Sequence, residues 1–289
     1  MFGFGRKEEA ASAVHDVSVD DTESNAPKKT WKETMMPVFA CGSGLFSDGY
    51  INNVIGSVNT TLRHQYGTVY TNSSAVSYVA NIAFAGIVVG QLLFGFLSDH
   101  WSRTNSLFVS TIILIVFTAL ATGSYWKGEP EGMFNMLTAW RFFVGVGIGG
   151  EYPAGSVGAA ESTGELKAGT RHRWFILFTN TMINGGFVMG AFMPFVIAAG
   201  SSNYEVIWRT SLGVGVIFPL VLLYLRFKLE EPEDFTKNSM RRSTPYLLVL
   251  KFYWFRLFCV SLVWFLYNVS PSSYPVFHAS SFAFKSLGF

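Results

Sequence analysis

The sequence predicts an all-α, polytopic membrane protein, and three observations carry that reading. Half of the 289 residues are hydrophobic, with Phe at 28 positions, and only 14% are charged, against roughly 25% in soluble globular chains. The apolar residues come in runs long enough to cross a hydrocarbon core of about 30 Å, which takes about 20 helical residues. The charges cluster between those runs. This composition rules out a disordered chain and argues against an ordinary cytosolic enzyme. A net charge of +2 with no basic stripe gives no reason to expect nucleic acid as a partner.

Taken in order, residues 1–34 hold seven acids, five bases and no apolar core. They read as a disordered cytoplasmic tail and not a secretory leader, which needs a basic start followed by an apolar stretch. Spans follow near 36–58, 76–98, 105–125, 135–158, 174–199 and 207–227. A partial seventh covers 255–270, where Ser270-Pro271-Ser272-Ser273-Tyr274-Pro275 stops it, since proline withdraws an amide donor and clashes with the preceding turn. The expected organisation is a six-helix unit over 35–228, a cytoplasmic loop over 229–254, the partial helix, and an aberrant tail over 271–289. Cys41 and Cys259 lie in separate apolar segments, outside any metal or redox spacing, and read as packing residues.

Basic residues set the orientation. With the N-terminus inside, 16 of the 21 Lys and Arg residues fall on the inner side, Arg226 among them, while Arg63 and Lys127 occupy outer loops. The N-terminus is expected in the cytoplasm, which argues against a seven-helix receptor. Two N-x-[ST] sequons, at Asn59 and Asn72, fall in the first outer loop, where glycosylation requires them.

Asp48, Arg141 and Glu151 lie within spans, each at a cost of about 2.5–3.5 kcal/mol on insertion scales, so each calls for a partner or a wet cavity. Asp48 and Asn52, like Ser43 and Ser47, are four apart and share a helix face. That stripe fits a substrate path, or a carboxylate capped by hydroxyls for packing. Glu151 stands ten residues beyond Arg141, about 15 Å along the axis, too far to pair. With Pro153 just after it, Glu151 suits proton coupling, or a buried neutral acid used as a hydrogen-bond donor. Gly145 and Gly149 allow another helix to approach closely, and Gly86 and Gly90 read as packing. Asn180 and Asn184 share a face, as polar glue between helices or as substrate contacts.

Gly95-Phe96-Leu97-Ser98-Asp99-His100-Trp101-Ser102-Arg103 resembles the loop motif G-x-L-x-D-R-x-G-R of the major facilitator superfamily. Gly95, Leu97, Asp99 and Arg103 match; His100 and Ser102 depart. Arg141 with its glycines is similar to the superfamily's fourth-helix motif. Gly149-Gly150-Glu151-Tyr152-Pro153 resembles the phosphate:proton symporter family, and within it the fungal glycerophosphodiester (glycerophosphoinositol) permeases. Trp208-Arg209 and Glu231-Pro232-Glu233 fit the same pattern.

The resemblance spans roughly 35–269. It implies a six-helix N-terminal half of a major facilitator fold plus part of a seventh helix, in a family that has twelve spans with the site between two halves. It implies gating by Gly95, Asp99, Arg103 and Arg141, and proton coupling by Asp48 and Glu151. It implies substrate contacts by Tyr152, Asn184, Trp264 and Asn268. Asn268 stands where the family's W-x-x-x-D pattern has Asp, which points from inorganic phosphate toward a singly charged phosphodiester.

The expected function is therefore proton-coupled symport of a glycerophosphodiester or phosphate at the plasma membrane. The partners are protons, a small anionic organic phosphate or phosphate, and the lipid bilayer, with no cofactor. The chain is expected to be incomplete, with a genuine half-length form as the other possibility. The alternative function is a non-transporting sensor or a half-length regulator of a full-length carrier. An enzyme is disfavoured: His15, His64, His100, His172 and His278 lie in loops, edges or the tail, none at metal-site spacing.

Overall fold

The computed structural model describes residues 31–163, 173, 176–227 and 246–269, all within the second of two units, Trp31–Phe289. The expected tail over 1–34 therefore lies almost wholly outside the described residues, as does the tail over 271–289. Seven long helices are described: α1 Trp31–Tyr66, α2 Ala75–His100, α3 Arg103–Thr122, α4 Pro130–Thr163, α5 Met182–Gly200, α6 Tyr204–Arg226 and α7 Tyr246–Val269. A one-turn helix, Thr68–Thr71, bridges α1 and α2, and a π-helical turn, Leu177–Thr181, leads into α5.

Local chemistry explains the boundaries. Gly67 ends α1 at φ 54°, a left-handed conformation that costs glycine little. Ser102 caps α3 by accepting from the Asn105 amide at 3.0 Å, and Asn203 caps α6 by accepting from the Glu205 amide at 2.9 Å. Pro130 opens α4, where its missing donor is harmless.

Four stretches are long and apolar enough to cross a membrane by length and composition: α2, α3, Leu177–Gly200 and α6. The helices α1 and α4, at 36 and 34 residues, are the longest and hold the buried charges Asp48, Arg141 and Glu151. Both overrun their expected spans. A helix satisfies its own backbone and continues past the apolar stretch that hydropathy detects. The helix α7 likewise begins at Tyr246, so residues 246–254 of the expected loop are helical.

The packing is symmetric under exchange of the first three helices for the next three. Helix α1 packs on α5 and α6, α4 packs on α2 and α3, and α1, α4, α3 and α6 meet in the middle. That is the arrangement of two inverted three-helix repeats. The α2–α4 crossing depends on small residues. A Cβ added to Gly149 would strike the Ile87 carbonyl oxygen and lie 3.0 Å from the Gly90 Cα. One added to Gly86 would strike the Phe142 carbonyl oxygen. Gly49 and Gly186 make the equivalent α1–α5 approach.

Tyr50, Ile51, Val54, Leu114, Leu137, Ile148, Trp208 and Leu212 belong to the main apolar core. Apolar side chains of the opposite orientation, such as Val88 and Leu92 on α2 and Val188 on α5, are exposed, as a lipid-facing surface demands. The described side chains of α7 are exposed almost throughout. The chain is an integral membrane protein.

The structure corrects one sequon. Asn59 lies inside α1, its amide donating to the Val76 carbonyl at 3.3 Å, and Thr61 is fully buried with its hydroxyl on the Ser57 carbonyl. The outer loop expected there is helix. Asn72 is exposed, in the turn before α2.

Candidate functional site

The site is built on α1 and α4, which the other helices cover. Asp48 is fully buried on α1, and neither of its carboxylate oxygens has a hydrogen-bond partner. The neighbouring Ser47 hydroxyl is buried and also unsatisfied. The capping-by-hydroxyls alternative is therefore not realised. Ser43, the other expected member of that stripe, turns its hydroxyl onto the Phe39 carbonyl at 2.8 Å. The stripe does not line an open path either, because Ser47 and Asp48 are fully shielded.

Glu151, on α4, meets a partner that the sequence reading placed elsewhere. Arg226, at the end of α6, forms a two-pronged ion pair with it: Nη1 lies 2.7 Å from Oε1, and Nη2 contacts Oε2. Ser110 Oγ of α3 donates to Glu151 Oε1 at 2.8 Å. Arg226 also donates to the Leu107 carbonyl and to Thr111 Oγ1 on α3. Glu151 and Arg226 are each 2% exposed. Both oxygens of Glu151 face the Arg226 guanidinium, a donor-only group, which favours an ionised acid over the alternative of a neutral donor.

Arg226, one of the basic residues that the charge bias assigns to the inner face, is buried instead. Counting Lys and Arg near span ends cannot separate a residue facing water from one turned into the bundle. Removing it leaves the charge bias in place. A signal was present: the buried residues of α6 are Ile207, Trp208, Ser211, Leu212, Gly215, Pro219, Leu222 and Arg226. Arg226 continues their three-to-four spacing, so it belongs to the inward stripe.

Helix α1 closes the cluster. A Cβ on Gly44 would lie 2.7 Å from Glu151 Oε2 and 3.0 Å from Arg226 Nη2, so a larger residue there would push the ends of the paired side chains aside. Gly44 and Asp48 are about one turn apart on the same face, about 6 Å along the axis. Both Glu151 and Arg226 act electrostatically on Asp48, and Tyr152 is within reach of both acids. Tyr152 is half-buried against the main core.

Arg141 is buried further along α4. Its Nη1 donates to the Ile51 carbonyl of α1 at 3.3 Å, and its Nε has no partner. Arg141 and Glu151 have separate partners, as their spacing requires. Helix α4 runs unbroken through Pro153, although Pro153 leaves the Gly149 carbonyl without its usual donor.

At the α2–α3 turn, Arg103 Nη1 lies 3.3 Å from Asp99 Oδ1 and donates to Ser98 Oγ at 3.0 Å. Gly95 faces Pro153, whose Cβ would be 4.0 Å from an added methyl. Ser102, one of the two departures from the loop motif, serves as the α3 cap described above. His100 stacks on Phe96 with centroids 4.0 Å apart.

Asn184 is exposed on α5, and its amide donates to the Asn180 carbonyl of the preceding turn at 2.8 Å. That bond lies within one helical segment. Trp264 and Asn268 fall within α7, and their side chains lie outside the described residues. The structure thus pairs Glu151 with Arg226 against Gly44, with Asp48 about one turn along α1 from Gly44, Tyr152 next to Glu151 in α4, and Arg141 further along the same α1–α4 contact.

The chain is similar to known carriers. It is 42% identical over 285 residues to a glycerophosphodiester transporter of Candida albicans, covering 94% of this chain and 53% of the relative. It is 34% identical to a glycerophosphoinositol transporter of Saccharomyces cerevisiae, covering 88% of this chain and 49% of the relative. An inorganic phosphate transporter of Oryza sativa is 29% identical over 75% of this chain and 45% of its own. The chain spans about half the length of the curated relatives it matches, and those named are transporters.

In fold, it matches the crystal structure of a D-xylose–proton symporter with a TM-score of 0.58 at 18% identity, covering 81% of this chain and 54% of that one. The described helices form a six-helix half of a major facilitator fold followed by a seventh helix. The profile of the sugar (and other) transporter family matches residues 35–243, and the chain belongs to that family.

Proposed function

We propose that this chain is one half of a proton-coupled carrier for glycerophosphodiesters in the plasma membrane, with its N-terminus in the cytoplasm. One observation carries the proposal: a carboxyl group, Asp48, fully buried on α1 without a hydrogen-bond partner, beside the Glu151–Arg226 pair. An ionised carboxylate is very costly in such a place, whereas a neutral carboxyl is tolerated. A group that must be neutral when shielded and can ionise when reached by water is a proton carrier. Relatives at 41–42% identity are named for glycerophosphodiester or glycerophosphoinositol transport, while the phosphate transporter is more distant. That ranking favours the diester over phosphate.

In this reading Asp48 takes a proton from outside and gives it up inside as the two halves rock about the site. Glu151 is the second coupling acid. Tyr152, Asn184, Trp264 and Asn268 contact substrate where this half faces the other. Gly95, Asp99, Arg103 and Arg141 hold the gate: the Asp99–Arg103 bond braces the α2–α3 turn, and Arg141 ties α4 to the α1 backbone.

The test is uptake of labelled glycerophosphoinositol by cells lacking such carriers. They express this chain with the complementary half of the Candida albicans glycerophosphodiester transporter. Uphill, gradient-dependent uptake is expected. Glu151→Gln is expected to abolish accumulation while leaving exchange; normal accumulation by the variant would sink the coupling role. No uptake, together with a change in another carrier's flux, would support the sensor or regulator reading instead.

A further inference from the structure

Charge is unevenly spread along the sequence. Residues 235–289 hold six Lys and Arg and no Asp or Glu, whereas the rest of the chain holds 15 bases and 19 acids. Two of the six, Lys251 and Arg256, lie on α7, a helix without a single acid. Both are exposed, and neither has an acidic partner among the described residues. Between them stand four consecutive aromatic residues, Phe252, Tyr253, Trp254 and Phe255, each at least half exposed.

At about 100° per residue, four consecutive side chains go all the way round a helix, so these rings form a collar. Aromatic rings collect where hydrocarbon meets headgroups, and the collar places the start of α7 at that level. Lys251 and Arg256 flank it, and the Arg256 guanidinium lies over the Tyr253 ring, 5.7 Å from its centroid. The helix is not among the four stretches long and apolar enough to cross a membrane, as suits a first part that lies at the surface. Five residues separate the two cations, about 140° around the axis and about 7.5 Å along it. They leave the helix on different sides and cannot converge on one small anion, as the polar groups of a solute pocket do. A membrane surface, in contrast, offers separate anions side by side.

We propose that the first three turns of α7 are a docking surface for anionic glycerophospholipids of the cytoplasmic leaflet, one headgroup at Lys251 and another at Arg256. Clustered Lys and Arg next to a membrane helix are attracted to the negative potential of that leaflet, and the long stems let the charges reach the headgroups while the rings stay buried in the interface. Lipids held there fix the depth and tilt of the helix that also carries Trp264 and Asn268. The choice of leaflet rests on the orientation proposed above; the preference for negative headgroups does not.

The experiment is native mass spectrometry of the full chain in detergent, titrated with phosphatidylserine or with phosphatidylcholine of the same acyl chains. Wild type is expected to bind two phosphatidylserine molecules, each about five-fold tighter than phosphatidylcholine, the effect of one basic residue at an anionic surface. Lys251→Gln and Arg256→Gln each remove one of the two, and the double variant removes both. Phosphatidylcholine binding stays as in wild type, which reports that the variants are folded. Arg256→Lys keeps both lipids. Lys127→Gln, at an exposed position between α3 and α4, is the control and also keeps both.

Equal affinity of wild type for the two lipids would overturn the proposal. So would an equal loss in Lys127→Gln, which would make the attraction diffuse. Displacement of phosphatidylserine by inorganic phosphate would assign the cations to a soluble anion instead. The uptake assay separates this surface from the carrier reading. Selective lipid binding without diester uptake would refute the function and leave the surface standing, while coupled uptake without a preference for phosphatidylserine would refute the surface alone.

Discussion

Gly149→Ala puts the α2–α4 contact to a quantitative test. The new methyl would strike the Ile87 carbonyl oxygen and lie 2.9 Å from the Gln91 amide nitrogen and 3.0 Å from the Gly90 Cα. All three neighbours are backbone, so no side chain can swing aside and the helices themselves must separate. Overpacking of this kind costs about 1–3 kcal/mol. Alanine returns about 0.8–1.0 kcal/mol of helix propensity over glycine. The net expectation is a loss of about 0–2 kcal/mol.

Gly213→Ala on α6 is the internal control, since its nearest neighbour would be Thr122 Cγ2 at 3.6 Å, an ordinary contact. That variant keeps the propensity gain without the clash. For a chain of this size each kcal/mol moves the melting midpoint by about 2–4 °C. Gly149→Ala should then melt roughly 2–12 °C below Gly213→Ala in detergent, followed by the monodisperse peak in size-exclusion chromatography after heating. If the two variants melt together, the close backbone approach is not what the glycines are for.

The remaining predictions concern the far end of the bundle from the Glu151–Arg226 pair. Arg209 donates to the Thr122 carbonyl at 2.8 Å and the Ser124 carbonyl at 2.9 Å, closing the end of α3. Arg209→Ala should cost about 1.5–3 kcal/mol, as for other hydrogen bonds to charged groups. Arg209→Lys should recover only part of it in the same melting assay, because an ammonium cannot span both carbonyls as the guanidinium fork does. Of the two sequons, only Asn72 is exposed, so Asn72→Gln should abolish any glycan-dependent shift in gel mobility and Asn59→Gln should leave it unchanged. A shift lost in Asn59→Gln would mean that the outer end of α1 is not helical as described.

Much of the architecture was legible in the sequence because hydropathy and helical spacing report what a bilayer demands. The apolar runs locate α2, α3, α5 and α6. The glycines at 145 and 149 announced a close crossing, and Gly86 and Gly90 proved to be its other side. Helix ends were less legible. Residues 59–66 and 246–254 are helical although their polarity predicts a loop for the first group and an interhelical linker for the second. Polarity marks where a membrane stops, and backbone hydrogen bonding decides where a helix does.

The site was legible in half. Asp48, Arg141 and Glu151 stood out as charges inside apolar runs. Arg226 did not, because it follows Leu222-Leu223-Tyr224-Leu225 at the very end of its span, where a basic residue is ordinary. Its place in the inward stripe of α6 distinguishes it, and the stripe becomes visible only once residues are sorted by face. The unpaired state of Asp48 has no sequence signal, since it depends on which way Ser43 and Ser47 turn.

The placement of charge follows from the packing. A charged side chain facing lipid is expensive, and of the four long apolar spans the two least buried, α2 and the one that contains α5, carry no charge in their middles. The two acids and Arg141 sit on α1 and α4, which occupy equivalent positions in the two inverted repeats and are covered by their neighbours. Arg226 reaches them from α6. Burying the Glu151–Arg226 pair is not explained by stability, because well-packed apolar residues commonly do as well or better in such places, whereas breaking a buried pair by removing one partner costs about 3–5 kcal/mol. A bundle that needed only rigidity would do better with leucines at 151 and 226. The pair is costly to break by removing one partner, and through it α4 and α6 are tied to the hydroxyls and backbone of α3, so any rearrangement of these helices must pass through this contact.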